Sequence, residues 1–466
     1  MATTTTMKAL TVDNINQHVR SAQYAVRGEI ATRAETYRAQ LKSAHDPPTP
    51  PSDSNKPLPF DTVISANIGN PQQLDQKPIT FFRQVLSILE NPALLSNEAA
   101  LQSAFNYPSD VIDRAKRLLA EVKSVGAYSQ SQGAPGIRDS VAKFIEKRDG
   151  FPSDPSTIFL SAGASSGVNT LMNVICSKPE TGILVPIPQY PLYTATLSLL
   201  NARCVPYYLD EASGWSTNMS AIQDAYTKAK DQGTDIRAIV VINPGNPTGG
   251  CLPADAVADV LRFAADKNLV VMADEVYQTN VFIGEFTSFK KSLRQLQQSS
   301  SSSPSEKEKL DNLELASLNS ISKGMVGECG HRGGYFELTG FSPDVAAQIY
   351  KFVSIMLCPP ERATALYEAF KGMEGVECQK PQGSMYLYPT IKLPPKAIEE
   401  AERKGKKPDE FYCGRLLDAT GVCVVAGSGF GQKEGTLHFR TTFLAPGTEW
   451  VGRIGKFHEG FMEEFR

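Results

Sequence analysis

From about Phe151 to Tyr277 the sequence alternates short apolar, β-branched runs with stretches of helical periodicity, and this constrains the fold more than any other feature. "TIFL" leads into "SAGASSGVNTLMNVIC", "GILVP" into "YPLYTATLSLL", and "RCVPYYL" into a helix near residues 218–230. "IRAIVVINP" leads into a helix at 253–267, and "LVVMADEVY" follows. Runs that are apolar throughout belong to strands covered on both faces, and strands joined through helices pair in parallel. The expectation is an α/β fold built on a mostly parallel sheet. In such sheets ligands sit outside the carboxyl ends of the strands. Four polar stretches each follow an apolar run: Ser161–Ser165, Asn243–Asn246, Asp274–Tyr277 and Ser320–Lys323. Chemistry is expected where those four converge.

A chain of 466 residues exceeds a typical single core and suits two domains. Residues 14–44 read as helix, with Val19, Tyr24, Val26, Ile30 and Leu41 recurring among polar residues. The prolines from His45 to Pro59 forbid helix and make an extended connector. "TVISANIGNP" reads as a short strand ending at Gly69, and the serine-rich Leu296–Lys309 as a solvated loop. The last third, with strands near "GVECQKP", "SMYLYPTI", "GVCVVAG" and "LHFRTTF", reads as a smaller α+β domain.

A formal net charge of -3 argues against nucleic acid as a partner. No apolar run approaches the roughly 18 residues that span a bilayer, so no membrane partner is expected. Eight cysteines without a CxxC pair fit free thiols in a reducing compartment. "MATTTTMKAL" lacks the apolar stretch of a signal peptide. These features point to the cytoplasm, with the mitochondrial matrix as the alternative.

"SISKGMVGECGHRGGY", Ser320–Tyr335, sets Lys323 between serines and five glycines. A lysine at a strand end among small residues can be approached closely, and lysine forms a Schiff base with an aldehyde. Pyridoxal phosphate needs such a lysine, a carboxylate to keep its pyridine nitrogen protonated, donors to its ring oxygen and a site for its phosphate. Asp274, delivered by an apolar strand, is placed for the carboxylate. Tyr277 and Asn246 are placed for the ring oxygen. Gly163, Ala164 and Ser165 open a helix, where backbone N–H groups bind phosphate, and Ser320 and Arg332 complete a cationic cup. Cys329 and His331 in the same stretch are too few for a metal site, and none is expected. "GSGFGQ", Gly427–Gln432, lacks the last spaced glycine of a dinucleotide fingerprint.

"NPGNPTG", "ADEVY" and "SISKGMVGECGHRGGY" resemble the fold-type I, class I/II aminotransferases. "ANIGNPQ", "KPITFFRQV", "GAYSQSQGAPGIRDSVAKFIEKRDG", "IPQYPLY", "CPP" and "HFRTTFL" are similar, in order, to the alanine aminotransferase family within them. The resemblance implies a seven-stranded, mostly parallel sheet in a large domain at 69–358. It implies an N-terminal arm with part of the small domain at 1–68, and a C-terminal small domain at 359–466. It implies a homodimer whose small-molecule partners are amino acids and 2-oxo acids, moving the amino group of L-alanine to 2-oxoglutarate by ping-pong transfer. Lys323 would carry pyridoxal 5'-phosphate and shuttle the proton, Asp274 would pair with the pyridine nitrogen, and Asn246 and Tyr277 would contact the ring oxygen. Arg332, Ser320, Ala164 and Ser165 would hold the phosphate, and Tyr190 would stack on the ring. Arg440 would grip the substrate α-carboxylate, Gly69 would line the substrate pocket, and Tyr128 would reach the phosphate of a partner subunit. Other donor specificities, a lyase on the same scaffold and a truncated isoform serving as a partner subunit stay open; the proline-broken, weakly basic residues before "ISANIGNP" argue against a DNA-binding regulator that senses the cofactor, and the intact motif set argues against an inactive paralogue.

The chain departs from the family pattern after Pro360. "SIMLCPP" runs at once into "ERATALYEAFKGMEGVEC", where the family has a longer passage beginning with a Gly-Gln helix start. What remains, Glu361 to Lys371, would make a helix of about 16 Å. The expectation is a chain that lost an internal segment and with it part of the link between domains.

Overall fold

The computed structural model describes residues 9–23, 29–45, 58–64, 69–126, 129–300, 303–356, 370, 372–378, 386–442 and 449–466. The chain divides into two compact units, Met1–Leu357 and Cys358–Arg466.

The first unit is organised by seven strands: β1 (Ile158–Ser161), β2 (Thr181–Ile187), β3 (Arg203–Tyr208), β4 (Asp235–Ile242), β5 (Val270–Asp274), β6 (Leu315–Ser320) and β7 (Gly334–Thr339). Their spatial order is β1-β7-β6-β5-β4-β2-β3. β7 runs antiparallel to both neighbours, and every other pair is parallel. The carboxyl ends of β1, β4, β5 and β6 therefore point the same way and deliver the four polar stretches to one edge.

The strands are apolar because both faces are covered. Along β4, Ile239 and Val241 pack into a cluster with Leu261 and Phe289, while Ala238, Val240 and Ile242 join Leu171 and Tyr193 on the other side. Successive side chains point to opposite faces, so a one-residue slip would exchange the two sets. Each fully buried Val, Leu or Ile contributes about 1.5–3 kcal/mol. The connecting helices begin and end on local signals. The Asn218 side chain accepts from the N–H groups of Ser220 and Ala221 at the start of Met219–Asp231. Asn268 closes Ala254–Lys267 in the left-handed conformation.

Three expectations change. The helix expected over 14–44 is described as two pieces, Gln17–Ser21 and Glu29–His45. Of the strand expected to end at Gly69, Thr62–Ile64 and Gly69 are not in a strand, and residues 65–68 lie outside the described residues. The serine-rich stretch is not simply a loop. Leu296 is buried in the helix Phe289–Gln298, and Pro304–Asp311 forms another, with Ser303 accepting from Glu306 N–H at 3.2 Å. Ser303 is an N-cap and Pro304 the first helical residue, a start signal that the low-complexity composition conceals.

The second unit pairs Phe439–Thr442 with both Val425–Ala426 and Tyr386–Leu387, and Val376–Glu377 with Thr390–Ile391. Helices Pro395–Arg403, Pro408–Thr420 and Glu449–Phe465 accompany these strands. Phe370, Leu387, Tyr412, Leu416, Phe439 and Phe461 form its core. The short helix expected at Glu361–Lys371 lies, but for Phe370, outside the described residues.

Candidate active site

Beyond the carboxyl ends of the strands lies a cavity of about 970 Å³. Lys323, Asp274, Tyr277 and Asn246 line it, with Ala164, Ser165, Ser320 and Arg332 along one side and Tyr190 and Gly69 among the remaining walls.

Asp274 is the last residue of β5 and is 6% exposed. Tyr193 Oη donates to its Oδ2 at 2.6 Å, and Val276 N–H donates to Oδ1 at 3.4 Å. Burial pushes the Asp274 carboxyl above its ordinary value; the Tyr193 hydroxyl, the Val276 N–H and the Lys323 charge pull the other way. The neighbouring strand end is tied to it: Asn243 N–H donates to Asp274 O at 3.0 Å, and Asn243 Oδ1 accepts from Leu252 N–H at 2.9 Å. That second bond folds "NPGNPTGG" back on itself, with Asn246 Nδ2 donating to Tyr277 Oη at 3.3 Å. Lys323 Nζ stands 5.2 Å from the centre of the Tyr277 ring, within cation–π range.

The opposite side is built for an anion. The helix Ala164–Ile175 starts at Gly163 (φ 85°) without a side-chain cap, and its first residues, Ala164 and Ser165, line the cavity. Arg332, itself left-handed, donates from Nη2 to Ala162 O at 3.1 Å and from Nη1 to Cys329 O at 3.0 Å. A Cβ on Gly163 would lie 2.6 Å from Arg332 Nη2, and one on Gly334 would lie 2.6 Å from Asn319 O. Gly334 is thus required by the close approach of backbone, and Gly163 by its positive φ. Ser320 Oγ accepts from Ser322 N–H at 3.1 Å and donates to Gly333 O at 3.3 Å, bracing the turn before Lys323.

Tyr128 lies outside the described residues. Arg440 belongs to the second unit, on the strand Phe439–Thr442, with its guanidinium 4.7 Å from the centre of the Phe430 ring. Among the described residues no group of three or more His, Cys, Asp or Glu side chains could hold a metal ion. Cys329 Sγ donates to Ser322 O at 3.1 Å, and His331 lies 3.7 Å from Glu328.

Sequence reasoning missed Tyr193, which is fully buried against Asp274; its sole local signal is a place three residues after Tyr190 at a helix start. It also missed Thr32 and Arg38, which the helix Glu29–His45 brings to the cavity wall, and Asn70 and Gln73 beside Gly69.

Residues 93–360, more than half of the 466, match the family "Aminotransferase class I and II". The mitochondrial alanine aminotransferase of Saccharomyces cerevisiae is 50% identical over 497 positions, covering 98% of this chain and 81% of its own. The chain belongs to the class I and II aminotransferases. This aminotransferase is also 47% identical to a protein of the same yeast named inactive alanine aminotransferase, over 98% of this chain and 95% of that one. Its fold is shared with the solved alanine aminotransferase of Pyrococcus furiosus, at a TM-score of 0.52 and 22% identity, covering 96% of this chain and 99% of that one. The family match ends at Pro360. The alignment with the first yeast relative spans 497 positions against 466 residues, so at least 31 (497 − 466) of those positions face no residue of this chain. The family uses pyridoxal phosphate. A primary amine, a buried carboxylate, an uncapped helix start and a guanidinium around one cavity fit that group's aldehyde, ring nitrogen and phosphate.

Proposed function

We propose that the chain is an alanine aminotransferase, moving the amino group of L-alanine to 2-oxoglutarate and releasing pyruvate and L-glutamate. The observation that carries this reading is the meeting of Lys323 and the buried Asp274 in one cavity beside the uncapped start of Ala164–Ile175. The name of the yeast relative at 50% identity supports alanine as the donor. Pyridoxal phosphate, when bound, supplies an electron sink for negative charge at the substrate α-carbon. The Lys323 amine would carry its aldehyde and move the α-proton. The Asp274 carboxylate would hold a proton on the ring nitrogen, with Tyr193 keeping that carboxylate charged and aimed. Asn246 and Tyr277 would hold the ring oxygen and Tyr190 would cover the ring. The N–H groups of Ala164 and Ser165, with Ser320 and Arg332, would hold the phosphate. Gly69 would leave room for the substrate, and Arg440 would bind its α-carboxylate by a two-pronged pair. A homodimer, with Tyr128 reaching the other subunit's phosphate, belongs to the same reading. The name of the mitochondrial yeast relative supports the matrix as the compartment.

The unmatched positions and the inactive yeast relative favour a second reading, a chain that keeps the cofactor site without turnover. A panel of alanine, aspartate, tyrosine and kynurenine with 2-oxoglutarate, run on purified protein with the cofactor spectrum recorded, separates the two. Alanine as preferred donor, with turnover and the lysine-bound cofactor absorbance both lost in Lys323→Ala, is the expected result. Bound cofactor without turnover on any donor selects the second reading. Turnover retained in Lys323→Ala overturns the assignment of the lysine.

A further inference from the structure

We propose that Arg83 is a positioning residue that sets the Gly69–Gln73 wall of the cavity against the Lys323 loop. The inference rests on the reading of that cavity as the substrate site. Arg83 lies on the helix Thr80–Glu90 and does not itself line the cavity. Its Nε and Nη2 donate to Glu328 Oε1 and Oε2, both at 3.0 Å, a two-pronged pair. Glu328 sits between Lys323 and Arg332 in sequence, its side chain is 6% exposed, and its N–H donates to Ile321 O at 3.0 Å. A carboxylate buried to that degree is costly without a partner; Arg83 supplies the two-pronged one, with Gln72 and, at 3.7 Å, His331 beside it.

The same guanidinium reaches the opposite wall. Arg83 Nη2 also donates to Gln72 Oε1 at 2.8 Å, and Gln72 Nε2 donates to Gly327 O at 3.2 Å. Gln72 lies in the short turn Pro71–Leu74, which begins just after Gly69 and Asn70 and contains Gln73. Gly327 is a point of close approach: it has a left-handed φ of 56°, and a Cβ there would lie 3.1 Å from Gln76 Nε2 and 3.4 Å from Pro71 Cβ. Arg83 is thus bonded at once to the wall segment and to the loop that carries Lys323. Its removal would let the two drift apart without touching a residue that lines the cavity.

The test compares Arg83→Met, Arg83→Lys, Glu328→Gln and the Arg83→Met/Glu328→Gln pair with wild type, all loaded with pyridoxal phosphate. The readouts are KM and kcat for the amino donor and the oxo acid, the cofactor dissociation constant, and amide hydrogen exchange over residues 69–76 and 320–335. In Arg83→Met, KM is expected to rise about tenfold with kcat and cofactor affinity within about threefold, because a wall misplaced by a fraction of an ångström weakens binding before it changes the proton transfer. Exchange is expected to quicken about tenfold in the two segments and not in β4 or β5. Arg83→Lys should recover part of both effects, and the double variant should be no worse than Arg83→Met alone, since both remove one shared interaction. Unchanged KM and exchange overturn the proposal. So does a uniform quickening that includes β4 and β5, which marks general destabilisation. Should wild type prove inactive on every donor, the proposed function fails while the exchange comparison still decides the role of Arg83.

Discussion

Replacing Tyr193 by Phe isolates the interaction that most favours the charged form of Asp274, a buried acid of the cavity. The ring stays packed in the core on its own face of the sheet, and only the hydroxyl that donates to Asp274 Oδ2 at 2.6 Å is lost. A hydrogen bond to a charged, buried acceptor contributes about 1.5–3 kcal/mol. Every 1.36 kcal/mol is tenfold, so wherever the charged carboxylate is required the loss is roughly ten- to a hundredfold. The sign follows from the forces on Asp274. Burial raises its pKa, and Tyr193 is the first of the groups that oppose it, ahead of the Val276 N–H and Lys323. Without the hydroxyl the pKa rises further, the carboxylate is protonated at pH values where wild type is charged, and its proposed hold on the cofactor's ring nitrogen should weaken. The acid limb of the kcat/KM profile therefore moves to higher pH, and the deficit shrinks as pH rises. Measuring that profile and the cofactor dissociation constant, by absorbance titration at an acid and an alkaline pH, checks the argument. An acid limb and dissociation constant within about twofold of wild type would refute it. A deficit that stays constant with pH would place the effect in packing and not in charge.

Gly163→Ala puts a Cβ 2.6 Å from Arg332 Nη2 on a backbone at φ 85° and ψ 166°, a region that glycine alone adopts readily, so cofactor affinity should fall about tenfold or more in an absorbance titration, with a backbone cost of about 1–3 kcal/mol in unfolding free energy from denaturant titration. Glu275 is pushed up to about 7, first by burial, which outweighs the Arg148 charge and the Phe289 N–H. The folded state thus binds this proton more tightly than the unfolded one. The resulting stability is present in full below the unfolded value near 4.5 and is lost as pH rises through about 7. Denaturant titrations should show a decline on the order of 3 kcal/mol across that window, and Glu275→Gln should flatten it.

The parts of this molecule that were legible in the sequence are those whose cause is local. β4 and β5 could be read because both of their faces are covered, which makes the run apolar throughout; Asp274 and Lys323 could be read because a polar residue ending or following such a run has one place to go. Tyr193 could not. It meets Asp274 across a separation of 81 residues, through a helix laid on the sheet, and no spacing within "YPLY" distinguishes its hydroxyl from that of Tyr190. Arg83 and Glu328 are 245 residues apart, and each alone reads as an ordinary surface charge. The serine run conceals a local cause, since its composition drowns the Ser303-Pro304 start signal. Asp274 and Glu275 are adjacent acids at the end of a strand buried on both faces, and the two-residue period sends their side chains to opposite sides. A second acid behind the sheet therefore required a cation there. The structure supplies Arg148, whose Nη1 lies 3.6 Å from Glu275 Oε2, beside the fully buried Lys290–Glu337 pair at 2.6 Å. The pair "DE" thus reports two environments at once: an open cavity that the first carboxylate lines, and a closed ionic layer that holds the end of the strand and with it the place of that carboxylate in the cavity wall.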